Sequence, residues 1–539
     1  MKRRLLAMAL VLAVGVGTLT GCGVPKEDKK ASESGNVLRY ATRQDPPTLD
    51  PQLMNSIPSA TIGYHIFDGL MRSQKGEIIP AAAESYEMSE DGMTYTFQLR
   101  DGLKWSDGEA LKAEDFVYGF QRLLDPATAS EYAFLGMVVK NAAKVNAGEV
   151  GVEELGIKAI DEKTVEIQLE YAAPYFLGML SNPSFMPTRK DQVDEFGKEF
   201  AGDAEKNVYN GPFMVKNWKH NDRLILEKNP NYWDADNIKL DGAEILTVAD
   251  ANTAVAMYES DELDFTDIPQ TMSEKYKDKS VAFFDGANDY VTLNENGQSP
   301  YLVNKNIRLA LNYAMNREDY IKLLGGVYAP NTRYVLPDVK GVEKTYGEEH
   351  PYEAYPVAGD LDKAKTYLAT GMSELGIANA SDITLELLIA DAESVKKQAE
   401  IIQAQLEKAL GIKIDIKQVP YKQRLQQEAD HDFQMVISGW VPDYSDALSY
   451  LEIWTTDSPY NRASYNSEAY DKLVKESNLQ TDPKLRQEAL FNAEKVFCED
   501  GVVIPLQLRQ MEMLVNDRVK GLETSFVGYQ YDFMNVEMK

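Results

Sequence analysis

Residues able to do covalent or metal chemistry are few and scattered in this 539-residue chain. The four histidines, His65, His220, His350 and His431, lack any spacing that would bring two of them to one metal. No His-Glu-x-x-His, Gly-x-Ser-x-Gly or phosphate-binding glycine loop occurs. Ser394-Val395-Lys396-Lys397 has a Ser-x-x-Lys spacing in which lysine activates serine in some enzymes. Here it opens an amphipathic helix without the companion motifs, so it reads as helix surface. Cys498 lies on an apolar stripe and reads as a small buried hydrophobe. Catalysis is left without a nucleophile, and no metal or other cofactor is expected. A further stretch to place is Gly439-Trp440-Val441-Pro442-Asp443-Tyr444. It follows an apolar strand over 433–437, and sites in mixed sheets tend to form at strand ends. Two plainer readings stay open: Trp440 as a core residue, and Asp443 as a helix cap with Ser445 and Asp446.

The elements that must position this segment have a mixed α/β texture. Leu38 opens a strand that runs toward the turn-rich Asp45-Pro46-Pro47-Thr48-Leu49-Asp50-Pro51. Over 94–100, Tyr95, Phe97 and Leu99 alternate on one face of a half-buried strand. Asp101-Gly102 then predicts a tight turn, with Leu103-Lys104-Trp105 starting the returning strand. Phe116, Phe120 and Leu123 share one stripe of a helix over 113–124 that stops at Asp125-Pro126. Residues 383–418 read as β-α-β, with alternating Ile383, Leu385 and Leu387, then a helix carrying Val395, Ala399, Ile402 and Leu406 inward to Gly411, then Ile412, Ile414 and Ile416. A helix over 483–497 is expected to turn Leu485, Ala489 and Val496 inward. Such units build mixed sheets covered by helices.

The N-terminus carries an address. Lys2, Arg3 and Arg4 precede an apolar run from Leu5 to Val16 and then Leu19-Thr20-Gly21-Cys22. Residues 1–21 thus read as a secretory signal, too short for a spanning helix. Its end resembles a bacterial lipobox, which implies lipidation of Cys22. The charged stretch over 22–35 suits a tether. Cleavage removes three cations from a formal net charge of −29 and leaves −32. That charge repels nucleic acid and anionic headgroups, so membrane contact must come from the lipid. With no disulfide framework, the fold must rest on large cores, and the chain is long enough for about three.

Three further stretches identify a family when taken together. They are Tyr95-Thr96-Phe97-Gln98-Leu99-Arg100-Asp101-Gly102-Leu103-Lys104-Trp105-Ser106-Asp107-Gly108 with Ala113-Glu114-Asp115-Phe116-Val117, then Asn210-Gly211-Pro212-Phe213 with Asn229-Pro230-Asn231-Tyr232-Trp233, then Asn306-Ile307-Arg308-Leu309-Ala310-Leu311-Asn312-Tyr313-Ala314-Met315-Asn316-Arg317. In this order they resemble the dipeptide/oligopeptide-binding family of bacterial extracellular solute-binding proteins. The motifs themselves are structural and speak for the fold more than for the ligand. The resemblance implies a two-lobed type II periplasmic-binding-protein-like fold with three domains: I from 36–67, 201–286 and 510–539, II from 68–200, and III from 287–509. Lobes closing about a hinge near 286 and 509 would trap the ligand.

The same resemblance implies a site. Gly439, Trp440 and Val441 would pair through their backbone with an oligopeptide, and Asp443 would receive its α-amino group. Asn55, Ser56 and Ile57 would form the second pairing segment, and Tyr132 would face the cleft. This is β-augmentation, in which main-chain bonds hold the ligand and pockets accept its side chains. Ile437, Val395 and Thr292 stand where better-known members of that branch carry an arginine, a histidine and a glutamate toward the ligand's far end. The expectation is a monomeric, lipid-anchored partner of an ABC permease on the extracellular face, not an enzyme. The alternatives are the same fold holding a sugar oligomer, a nickel complex or haem, or a surface receptor presenting a signalling peptide.

Overall fold

Two thirteen-residue strands, Val281–Leu293 and Val503–Val515, run antiparallel through the middle of the molecule. The structure is a computed structural model describing residues 36–539 apart from Lys75, Gly326 and Phe526. The signal, Cys22 and the tether lie outside the described residues. At about 3.3 Å per residue the two strands each span roughly 43 Å, long enough to serve two lobes. Their ladder is interrupted between Phe284 and Asn288, opposite Gln510 and Leu508. There Gly286 takes φ +80°, a conformation that costs glycine little.

Either side of that bulge the sheet acquires different neighbours. Val503–Val515 pairs with Phe265–Asp267, which leads on to Val37–Thr42, Gly242–Thr247, Arg223–Lys228 and Phe213–Lys219. Val281–Leu293 pairs beyond the bulge with Met435–Trp440, followed by Thr384–Ala390 and Lys413–Val419. Among the described residues eleven strands join this one mixed sheet. The β-α-β unit is present as Thr384–Ala390, helix Glu393–Leu410 and the parallel strand Lys413–Val419, with Ala399, Ile402 and Leu406 buried. A separate antiparallel sheet orders Ala83–Met88, Thr94–Leu99, Thr164–Gln168 and Ile157–Asp161. Helix Ala113–Leu124 buries Phe116, Phe120 and Leu123.

The motifs hold the fold together as expected. Asp115 accepts the Lys112 amide at 3.0 Å and the indole N–H of the fully buried Trp105 at 3.1 Å, so one carboxylate caps a helix and fixes a core tryptophan. Tyr232 and Trp233 both donate to Asp68 Oδ2, at 3.2 and 2.9 Å. Arg317 is fully buried and gives its Nε–H to the Pro505 carbonyl at 2.7 Å. Burial without a paired carboxylate pushes its guanidinium down to about 10.

Three local expectations are corrected. Leu103-Lys104-Trp105 forms no strand beside Thr94–Leu99; both edges of that strand are already taken, and Lys104 makes only an isolated bridge to Ala110. The strand placed over 433–437 runs instead from Met435 to Trp440, so Gly439 and Trp440 lie within it. The helix Pro483–Asp500 buries Leu490, Ala493 and Phe497 together with Arg486 and Glu494, while Leu485 is 51% exposed. The apolar stripe misled there because buried ion pairs occupy the inward face: Arg486 meets Asp446 and Glu494 meets Arg333.

Gly211 shows how tightly one motif is packed. Its N–H donates to Ile66 O at 2.9 Å, and a Cβ there would stand 2.5 Å from the Ile66 carbonyl carbon and 2.6 Å from the Phe67 nitrogen. Both obstacles are backbone and cannot swing away. Gly211→Ala should therefore lower unfolding free energy by about 1–3 kcal/mol. Urea denaturation checks this, and an unchanged midpoint would contradict the packing.

Candidate functional site

The lobes meet along a seam of aromatic rings. Tyr175 stacks on Tyr444 with centroids 5.0 Å apart, and Phe134 meets Tyr460 at 5.4 Å. Tyr460 in turn contacts Trp440 at 5.5 Å, and Phe134 contacts Tyr132 at 5.7 Å. Two cavities adjoin this seam and share Tyr529 in their walls. One, of about 450 Å³, is lined by Ile57, Val441, Arg43, Asp267, Asp285 and Arg509 among others. The other, of about 1040 Å³, borders Tyr175, Tyr444, Asp446 and Arg486.

The strand Met435–Trp440 offers a hydrogen-bonding edge. On one side it pairs from Met435 to Trp440 with Leu293 to Asn288. On the other, Thr384–Ala390 pairs only with Met435 and Val436. Arg424 donates to the Ile437 carbonyl at 2.7 Å, and beyond it no described strand covers that edge. Among the described residues Val441 makes no backbone hydrogen bond. A Cβ at Gly439 would lie 2.8 Å from Asp289 Oδ1 and 3.1 Å from the Asn288 carbonyl oxygen, so the partner strand approaches closely there.

Asp443 ends this edge. Its amide donates to Ser449 Oγ at 2.9 Å, yet its carboxylate is buried and Oδ2 accepts no hydrogen bond. Burial pushes this carboxyl up to about 7, with the neighbouring Tyr132 hydroxyl offsetting part of the rise. Nearby, Glu452 is pushed up to about 8 by burial despite the Tyr444 hydroxyl at 2.7 Å. The helix-cap reading of Asp443 does not describe this geometry. It is Asp446 that accepts the Leu448 amide, at 2.9 Å. Trp440 is half-buried rather than a core residue, its indole N–H given to Ser449 O at 2.8 Å.

The remaining expected residues divide. Ile57 and Val441 face the same cavity, and Tyr132 reaches Asp443. Asn55 is exposed and donates to Glu131 Oε2 at 3.3 Å, beside Tyr132. Ser56 is committed to capping helix Ile57–Ile66 through the Ser59 amide at 3.4 Å. Ile437 and Thr292 are buried in the lobe and Val395 is half-buried on its helix. Sequence reasoning missed Tyr175, Tyr529, Arg43 and Arg509, which come from four separate stretches and carry no local signal. Among the described residues no group of His, Cys, Asp or Glu can hold a metal ion, and no helix is long and apolar enough to cross a membrane.

Two lobes joined by paired long strands, with cavities between them, define a solute-capturing protein of the type II binding-protein fold. Residues 77–462 match the family described as bacterial extracellular solute-binding proteins, family 5 Middle, and the chain belongs to that family. The dipeptide-binding protein of Lactococcus lactis subsp. cremoris is 32% identical over 561 aligned residues, covering 100% of both chains. The substrate-binding domain of an oligopeptide ABC transporter from Bacillus anthracis superposes with a TM-score of 0.83 at 33% identity, covering 94% of this chain and 99% of that one. Listeria monocytogenes OppA bound to peptide gives 0.83 at 30% identity with the same coverages.

The raised carboxyl of Asp443 links stability to pH. A group whose pKa is higher folded than unfolded contributes stability at low pH and loses it as pH rises through the folded value. From 3.8 to about 7, the loss is up to about 4 kcal/mol between pH 4 and 8. Asp443→Asn cannot titrate, so its ligand-free unfolding free energy should fall less than that of wild type over this range. Parallel slopes in denaturant titrations at pH 5 and pH 8 would contradict the buried, unpaired carboxyl.

Proposed function

We propose that this chain is the substrate-binding component of an ABC importer and captures oligopeptides between its lobes. The observation that carries the reading is an uncovered strand edge ending in a buried carboxylate with an unused oxygen. A peptide lying along residues 439–441 would complete the ladder, and its α-ammonium would meet Asp443 Oδ2. Ile57, Val441, Tyr132 and Trp440 would border it, with Asn55 and Ser56 at the rim. The peptide-bound Listeria relative and the dipeptide-binding Lactococcus relative support this class of ligand. The protein would act by holding and releasing ligand rather than by catalysis. Three domains bounded as 36–67 with 201–286 and 510–539, 68–200, and 287–509 would move about the bulge at Gly286. A monomer anchored through lipidated Cys22 to the extracellular face would deliver ligand to its permease.

Ammonium binding needs the ionised carboxylate, so ligand displaces the Asp443 proton. Affinity for a free peptide should rise with pH between 5 and 7 by up to about tenfold per unit, then level off. Removing one member of a buried charge pair costs roughly 3–5 kcal/mol. Asp443→Ala should therefore weaken binding by about two to three and a half decades. Acetylating the peptide N-terminus should cost wild type a similar factor, and the two losses should not add. Calorimetry on both proteins with both peptides checks this; an acetylated peptide held as tightly as the free one removes Asp443 from the site. For the anchor, a clickable fatty acid should label wild-type cells and leave Cys22→Ala unlabelled, with equal labelling refuting it.

A further inference from the structure

The cavity of about 1040 Å³ has an acidic wall. Among the described residues, Glu77, Asp338, Asp446 and Asp532 line it together with Lys340 and Arg486. Asp446 and Arg486 cancel each other through two hydrogen bonds of 2.8 and 2.9 Å. Asp532 does not use its full capacity. It is 3% exposed, its Oδ1 accepts the Met534 amide at 2.9 Å, and its Oδ2 accepts no hydrogen bond. His65 Nε2 lies 3.4 Å from Oδ1. Its Nδ1 donates to Thr61 O at 2.7 Å, its Nε2 accepts the Phe533 amide at 3.0 Å, and burial holds its pKa down. Burial works against ionisation of Asp532, yet the His65 contact and nearby Arg72 hold its carboxyl below the usual range. Arg72 itself donates to Asp68 at 3.4 Å and lies 4.1 Å over the Tyr64 ring. Among the described residues, Glu77, Asp338, Asp446 and Asp532 outnumber Lys340, Arg486 and the nearby Arg72.

We propose that this cavity is a subsite for a basic side chain of the ligand, with Asp532 Oδ2 accepting its ammonium or guanidinium. The assignment rests on the peptide reading above. Tyr444, Ser445 and Asp446 border the cavity directly after Asp443, so a side chain near the ligand's amino end lies within reach of it. Tyr175, Tyr444 and Tyr529 supply ring faces along which a lysine or arginine stem packs while its head reaches the carboxylate. A hydrogen bond to a charged group in such a site is worth about a factor of ten or more in affinity.

The test is calorimetry of the mature chain with tetra-alanine and with lysine, norleucine or glutamate placed at each position in turn. At one position at least, lysine should bind about tenfold tighter than norleucine, with glutamate weaker than both and the lysine advantage shrinking at high salt. Asp532→Asn should bring the lysine-to-norleucine ratio toward one. Asp338→Lys, at an exposed position of the same wall, should lower that ratio without disturbing the packing around His65. Peptides that bind with equal lysine and norleucine affinities at every position overturn the subsite and leave the peptide reading standing. Retention of the full lysine preference in Asp532→Asn removes Asp532 from it. Failure of every peptide to bind overturns the peptide reading and the subsite with it.

Discussion

A single hydrogen-bonded ladder has to serve two lobes, and much of the molecule follows from that constraint. Two strands cross the middle side by side, and their pairing shifts register at the bulge around Gly286 and again between Asp289 and Tyr290. Arg509 stands opposite this bulge, donating to Asp285 Oδ2 at 2.6 Å and lying 3.9 Å from Asp289 Oδ1. Tyr450 closes the other side by donating to the Gly286 carbonyl at 2.7 Å. Asp289 also accepts from Gln507 at 2.6 Å and packs over Gly439. The residues that hold the crossing are thus the immediate neighbours of the strand edge at the site. A change in the bulge is transmitted to that edge by contact, without a long relay.

Charge is managed differently inside and outside. The surface carries a large acidic excess, which serves solubility. Within the lobes most buried carboxylates meet a cation at short range, as Asp446 meets Arg486 and Glu494 meets Arg333. Asp443 departs from that rule, and Asp443 and Asp532 each retain an oxygen with no donor. A buried acceptor left unmade costs free energy in the empty protein. That cost is returned only when a donor enters, which is how an unfilled cleft favours a ligand rich in N–H groups.

Much of the fold was legible in the sequence because its signals are local. The alternation of Ile383, Leu385 and Leu387 and the 3.6-residue stripe of 113–124 each report on neighbours a few residues away, and a strand over Thr384–Ala390 and a helix over Ala113–Leu124 formed there. The errors arose where a distant partner decided the outcome. Leu103-Lys104-Trp105 was barred from the sheet because Ala83–Met88 and Thr164–Gln168 hold both edges of Thr94–Leu99. Leu485 turned outward because Arg486 and Glu494 had charged partners from other stretches waiting inside.

The site divides along the same line. The sequence singled out Gly439 to Asp443 through a family resemblance carried by a short local motif at a strand end. It could not tell an anchoring carboxylate from a helix cap, because that depends on whether Asp443 or Asp446 receives the Leu448 amide. It could not show that Asp443 Oδ2 is left without a donor, nor that Tyr132, some three hundred residues earlier in the chain, comes to rest beside it. The C-terminal stretch that brings Tyr529 and Asp532 to the cavity walls has no signature of its own. Burial, partner choice and convergence of distant stretches are properties of the packed chain, and only the tertiary structure decided them.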